Sequence, residues 1–332
     1  MKNKILEIKD LSFSFHTYGG IVRAVRGVDL HLEEGEILGI VGESGCGKSV
    51  MSQCILQLNP EPPGFFEGGS IVYKGEELLG KTDREMQAIR SKEIGFVFQD
   101  PMTSLNPTMK IGQQITEVFV GVHGVGKQEA KRRALETMQR VGISDVEKRF
   151  DQYPHQLSGG MRQRIMIAIA LIAQPSIIIA DEPTTSLDVT IEAQIIDLLL
   201  EFREEFQTSV MLITHDLGVI AKACDRVIVM YGGKVMESGM TEDLFYRPRH
   251  PYTRGLLHSI ARPDMSKDEE LHPIEGTPPD LFSPPLGCPF AARCEQAMQI
   301  CYEMLPEEYI VGNHRTRCWL EHEFATPRGE HV

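Results

Sequence analysis

Apolar and polar residues alternate from Ile5 to Phe15 and again from Val22 to Leu32. This is the two-residue period of half-buried antiparallel strands, with Gly19-Gly20 as the turn between them. Ile37 to Val41, Ile94 to Phe98, Ile177 to Ala180 and Val210 to Thr214 are instead apolar on both faces, which predicts short strands buried in a parallel sheet. Helical spacing fills the intervals: Val50 to Leu58, most of 100–164, and Ile191 to Glu205. Within the middle interval, Gln128 to Met138 sets apolar residues on one face and charges on the other. Pro60-Glu61-Pro62-Pro63-Gly64 breaks the chain before a strand at Gly69 to Tyr73, and Gly232-Gly233 splits Val227 to Met230 from Lys234 to Glu237 as a hairpin. Beyond about Leu257 the chain turns irregular, with Pro273, Pro278, Pro279, Pro284, Pro285 and Pro289, and a separate appendage is expected.

Length and composition narrow this α/β picture. The 332 residues suggest two units rather than one average domain, and 42% apolar content describes a globular chain. No stretch approaches the length of a membrane span, and Met1 to Glu7 lacks the apolar core of a signal peptide, so any membrane role is expected to be peripheral. A formal net charge of −13 argues against a broad surface for nucleic-acid phosphates.

Candidate chemistry sits at the ends of the buried runs. Gly42-Glu43-Ser44-Gly45-Cys46-Gly47-Lys48-Ser49 fits the phosphate-loop pattern G-x-x-x-x-G-K-[ST] between a strand and a helix that opens near Val50. Glycines let the backbone curl so that N–H groups face a triphosphate, Lys48 faces its β- and γ-phosphates, and the Ser49 hydroxyl suits Mg²⁺. Cys46 reads as a small side chain turned away from phosphate, or else as a thiol made reactive by the helix terminus. Asp181 and Glu182 end the run Ile177 to Ala180, where a carboxylate can hold Mg²⁺ through water and a second one can activate the attacking water. His215 ends Val210 to Thr214, at the carboxyl edge where open α/β sheets bind ligands. Ser158-Gly159-Gly160 opens an apolar helix and offers a second anion-facing helix start.

In this order and combination the motifs resemble the ATP-binding cassette (ABC) ATPase subunits of transporters, over roughly Ile5 to Leu257. His250-Pro251-Tyr252-Thr253 and Gly287-Cys288-Pro289-Phe290-Ala291-Ala292-Arg293-Cys294 resemble the oligopeptide, dipeptide and nickel importer branch. The resemblance implies an α/β P-loop NTPase: a RecA-like core, an antiparallel β subdomain and a helical signature subdomain at about 100–164. Residues 1–257 would form the ATPase domain, with 258–332 as a Cys-rich extension. It also implies roles. Gln99 would be the glutamine that touches Mg²⁺ and water and links the ATP site to the helices. His215 would be the switch histidine, and Phe15 would stack on adenine, a core phenylalanine being the alternative. Ser158, Gly159 and Gly160 would meet the γ-phosphate held by a partner subunit, and Asp188 in Ser186-Leu187-Asp188 would lie across the same interface. The partners implied are a second, different ATPase subunit, two transmembrane permeases and, indirectly, an extracytoplasmic binding protein, with this chain peripheral on the cytoplasmic face. Peptide is the expected cargo, with nickel chelates or oligosaccharides as alternatives. A non-transport cassette, for DNA repair or ribosomes, is the rival class, but those usually carry two cassettes or a long coiled coil.

Four of the seven cysteines crowd the last part of the chain as Cys288-x5-Cys294-x6-Cys301-x16-Cys318. This is not the C-x2-C pairing of common zinc ribbons, whereas four thiolates are the usual ligand set of an iron-sulfur cluster. In the resembling importer ATPases such tails are associated with a 4Fe-4S cluster. That cluster is the expectation here, with structural zinc or free or oxidised thiols as alternatives.

Overall fold

The computed structural model describes residues 3–184, 189–259 and 274–325. Its strands are β1 (Lys4–Thr17), β2 (Gly20–Glu33), β3 (Ile37–Val41), β4 (Gly64–Tyr73), β5 (Glu76–Glu77), β6 (Ile94–Val97), β7 (Ile177–Asp181), β8 (Ser209–Ile213), β9 (Arg226–Tyr231), β10 (Lys234–Met240), β11 (Tyr309–Val311) and β12 (His314–Thr316). The described residues form two compact units, one from 1–5, 32–37 and 74–213, the other from 6–31, 38–73 and 214–332.

The first unit contains the parallel ladder of β6, β7 and β8, with Val97 opposite Ala180 and Asp181 opposite Ile213. Every residue of β7 and β8 is buried, which explains why these runs read as apolar on both faces. Helices Ile111–His123, Lys127–Arg140 and Gly159–Leu171 belong to the same unit. Lys127–Arg140 buries Ala130, Ala134 and Met138, while Arg132 bridges Glu129 and Glu136 on its exposed face. Its amphipathic spacing thus gives a core stripe under solvated ion pairs.

The second unit contains two strand assemblies. β1 pairs antiparallel with β4, Leu6 opposite Tyr73 and Phe15 opposite Gly64, and β2 flanks β1. β4 begins five residues before the sequence pattern suggests because Gly64 closes the pairing. A Cβ there would stand 2.6 Å from the Phe13 ring and 2.8 Å from the Pro60 carbonyl, so only glycine fits. In the other assembly β3 runs parallel to β9, and β9 and β10 form the expected hairpin. Gly232 and Gly233 both have positive φ, 54° and 78°, as a tight two-residue turn demands.

The end of the chain departs from expectation. Rather than standing apart as an irregular appendage, β12 pairs with β10, Glu237 opposite Thr316, and β11 pairs with β12. The Arg317 N–H donates to Met236 O at 2.8 Å, so the returning chain covers what would be an open strand edge. Prolines before the return hide it in the sequence, because β11 and β12 span only three residues each.

Candidate functional site

In the second unit, the fully buried β3 delivers the chain to Gly42, and helix Lys48–Ile55 starts six residues later. Gly42, Gly45 and Gly47 all have positive φ. A Cβ on Gly42 would stand 2.2 Å from Met230 O and one on Gly47 2.3 Å from Ala24 O, so the curl has no room for side chains at those points. Gly45 faces open space, and Ser44 is exposed beside it. Lys48 is 5% exposed and its Nζ donates to Gly42 O at 2.7 Å and Glu43 O at 3.0 Å, which holds the ammonium inside the loop's own curve. The Cys46 thiol lies 3.7 Å from that Nζ, and burial pushes its pKa up even though Lys48 pulls it down. Cys46 is thus a buried thiol packed against the loop's own lysine. Ser49 and Val50, half-buried, follow in the first turn of the helix.

His215 belongs to the same unit. The preceding Thr214 N–H donates to Ile40 O in β3 at 3.3 Å, which sets exposed His215 beside the strand that ends in the loop. Asp216 caps the next helix, accepting from Gly218 and Val219 N–H at 2.6 and 3.2 Å, so the chain turns sharply after the histidine. Phe15, half-buried in β1, meets Phe13 edge-on at 5.2 Å.

The first unit holds the other candidates. Asp181 is 2% exposed at the end of β7. Glu182 follows with φ at 46°, a left-handed conformation that costs a non-glycine residue about 1–2 kcal/mol. Its N–H donates to Ile213 O at 2.8 Å, and its side chain turns to accept from Gln99 Nε2 at 2.8 Å. Two residues far apart in sequence, each just past the carboxyl end of one of two paired parallel strands, are thus joined by a hydrogen bond. Ser158 caps helix Gly159–Leu171, accepting from Met161 N–H at 3.4 Å, and no heavy atom stands within 4 Å of a Cβ placed on Gly159. Ser158, Gly159 and Gly160 are therefore available at a helix start, while Gln163 further along is buried and donates to Pro183 O. Asp188, with Ser186 and Leu187, lies outside the described residues.

The metal expectation for the four cysteines is corrected. No group of three or more His, Cys, Asp or Glu among the described residues is arranged to hold a metal ion. Cys288, Cys294, Cys301 and Cys318 line a cavity of about 10 Å³ with His250, Phe290 and Trp319, room for a single water rather than for a 4Fe-4S cluster. Burial pushes the Cys288 and Cys318 thiols up to about 12, and Cys294 is raised for the same reason.

Contacts that sequence reasoning missed surround Glu43 and Glu237. Glu237, fully buried, accepts from Arg249 and His250 N–H at 2.6 and 3.0 Å and meets His314 Nε2 at 2.5 Å. Arg293 reaches Glu43, and the Tyr252 hydroxyl accepts from the Glu43 N–H. Both residues lie inside the two branch motifs, but nothing in the spacing announced their partners.

Residues 25–185 match the model of the family described as ABC transporter, and 236–301 match the model described as oligopeptide/dipeptide transporter, C-terminal region. The chain is 54% identical to the oligopeptide transport ATP-binding protein OppD of Bacillus subtilis, over 97% of this chain and 90% of that one. It is 52% identical to the dipeptide transport ATP-binding protein DppD of the same organism, over 99% and 97%. Among solved structures, the dimeric ATP-binding cassette MJ0796, in a post-hydrolysis state with ADP and Pi, aligns with a TM-score of 0.65 at 30% identity, over 71% of this chain and 98% of that one. With a phosphate loop, a strand-ending acidic pair and relatives alike along almost their whole length, the chain belongs to the ABC transporter family, as one of its ATP-hydrolysing subunits.

Proposed function

We propose that this chain energises the import of di- or oligopeptides across the cytoplasmic membrane by binding and hydrolysing MgATP. The observation that carries the reading is the near full-length likeness to the oligopeptide transport ATP-binding protein, the chain's last third included. No helix among the described residues is long and apolar enough to cross a membrane, so passage of cargo falls to membrane permease subunits, with this chain peripheral to them.

In this reading residues 1–257 form the ATPase domain, with 100–164 as its helical part, and 258–332 the importer-type extension. The loop Gly42 to Ser49 takes the triphosphate, the Lys48 ammonium faces the β- and γ-phosphates, and Phe15 stacks on adenine. Oxygen donors suit Mg²⁺, and Ser49, Gln99 and Asp181 would hold it, where it would supply charge neutralisation to the phosphates. Glu182 orients or deprotonates the attacking water, with Gln99 fixing its carboxylate and His215 facing the γ-phosphate. Ser158, Gly159 and Gly160 face the nucleotide of a second, different ATPase subunit, across an interface that includes Asp188. Two permeases receive the closure on the cytoplasmic face, and an extracytoplasmic binding protein presents the peptide.

Deleting the gene should abolish uptake of a labelled tripeptide and leave nickel accumulation unchanged, with rescue by the wild-type copy. Lost nickel uptake with intact peptide uptake would overturn the cargo assignment.

A further inference from the structure

Glu43 is the first residue of the loop after Gly42, and side chains from far down the chain hold it at both ends. Its N–H donates to the Tyr252 hydroxyl at 2.8 Å, 209 positions away, and its carboxylate accepts from Arg293 Nη1 at 2.6 Å, 250 positions away. Arg293 is itself fixed from every side. Its Nη1 also reaches the Tyr231 hydroxyl at 3.0 Å, Nε donates to Glu275 O at 2.8 Å, and Nη2 donates to Ile274 O at 2.9 Å. The guanidinium lies over the Tyr231 and Phe290 rings, in a cluster with Tyr252, and its side chain is 6% exposed. The same Glu43 offers its carbonyl oxygen to Lys48 Nζ. A second contact runs in parallel: Pro289 covers Gly232, and the Gly233 N–H donates to Cys46 O at 3.1 Å.

We propose that Arg293, from the C-terminal extension, and Tyr252, from the helix just before it, are positioning residues that set the affinity of the phosphate loop for ATP. The inference rests on reading Gly42 to Ser49 as the triphosphate site. Its physical core is charge. A carboxylate inside an anion-binding loop repels the ligand unless a cation offsets it, and Arg293 is the cation bonded to it. Tyr252 fixes the backbone at the same residue, and hence the carbonyl that orients Lys48.

The test is a double-mutant cycle on the transporter assembled with its permeases, with MgATP as the probe. Arg293→Gln should raise KM for ATP about tenfold with kcat within about twofold, and adding Glu43→Gln should recover most of that loss, a coupling of about tenfold. A residue that merely braces the fold would give additive or worse effects in the double variant, and that result overturns the proposal. If Arg293→Gln does not fold, Tyr252→Phe carries the test, since it keeps the ring and removes only the hydroxyl. It should raise KM about threefold at constant kcat, and an unchanged KM would refute the role of Tyr252. Lys48→Ala separates the two layers: wild-type ATP binding in that variant refutes the loop reading itself. Lost binding there, with no coupling between Arg293 and Glu43, refutes this inference alone.

Discussion

Glu182→Gln is the substitution in which geometry and chemistry separate most cleanly. Glu182 accepts a hydrogen bond from Gln99 Nε2 at 2.8 Å, and its backbone N–H is fixed to Ile213 O at 2.8 Å. The glutamine side chain has the same length and keeps an acceptor oxygen for Gln99, and the main-chain bond and the left-handed φ of 46° do not depend on the carboxylate. Stability should therefore change by less than about 0.5 kcal/mol, the range for a half-exposed polar replacement. What disappears is the negative charge and the basicity that the water needs, and loss of a general base costs about 10²–10⁴ in rate. The assay is single-turnover hydrolysis of pre-bound radiolabelled ATP, run beside equilibrium binding. Binding should stay within about threefold of wild type, since no phosphate contact is assigned to Glu182, while hydrolysis falls by at least about a hundredfold. The ATP-bound state should also persist, holding the chain closed on its ATPase partner. Hydrolysis above about a tenth of the wild-type rate would refute the role, since a true base cannot be replaced by an amide at so small a cost.

Lys48→Ala should weaken ATP binding itself, by about tenfold or more, because it deletes the buried ammonium that the loop carbonyls hold in place; fluorescent-nucleotide titration measures it. Ser158→Arg removes a helix cap worth about 1 kcal/mol, so the chain should fold with slightly lower stability. Its own ATP affinity should persist while ATP-dependent association with the second subunit is lost, and normal association by light scattering would contradict the assignment. His250, fully buried, has its pKa lowered to about 4 by desolvation, with Arg254 adding to the effect and Glu237 opposing it. The unfolded chain therefore binds the extra proton between about pH 6.5 and 4, and stability present above that window is lost as pH falls through it, by at most about 3 kcal/mol. Urea unfolding across this range should show a shallower pH slope in His250→Asn than in wild type.

The parallel strands were legible because they are buried on both faces, so β3, β7 and β8 announce themselves as short, largely apolar runs. The loop was legible for a related reason: glycine at positions where a Cβ would strike Met230 O or Ala24 O is a requirement written into single residues. Gln99 beside Glu182 was not, because a polar residue at a strand end has no periodicity, and only the pairing of β6 with β7 brings the two ends together. The four cysteines mark the opposite failure. Their spacing counts thiols, but whether thiols bind metal depends on the arrangement and the room that packing leaves them, and here packing leaves about 10 Å³ and no metal-holding group among the described residues.

Charge burial is the signal that links what was missed. A carboxylate as deeply buried as Glu237 has to find donors, and it finds them in Arg249, His250 and His314, the last lying 77 positions away on the strand that closes the sheet edge. Arg293 obeys the same rule at the phosphate loop: a guanidinium taken out of water needs a counter-charge, and Glu43 is the carboxylate it bonds. Burial alone would lower its pKa, yet the hydrogen bonds to Glu43 and Tyr231 raise it, so the cation is permanent and the ion pair does not switch with pH. Sequence shows each of these residues as one more charge in an acidic chain. Only folding reveals that two of them are ties between the C-terminal residues and the elements they return to, which is why removing the charge at Arg293 should be felt first by ATP.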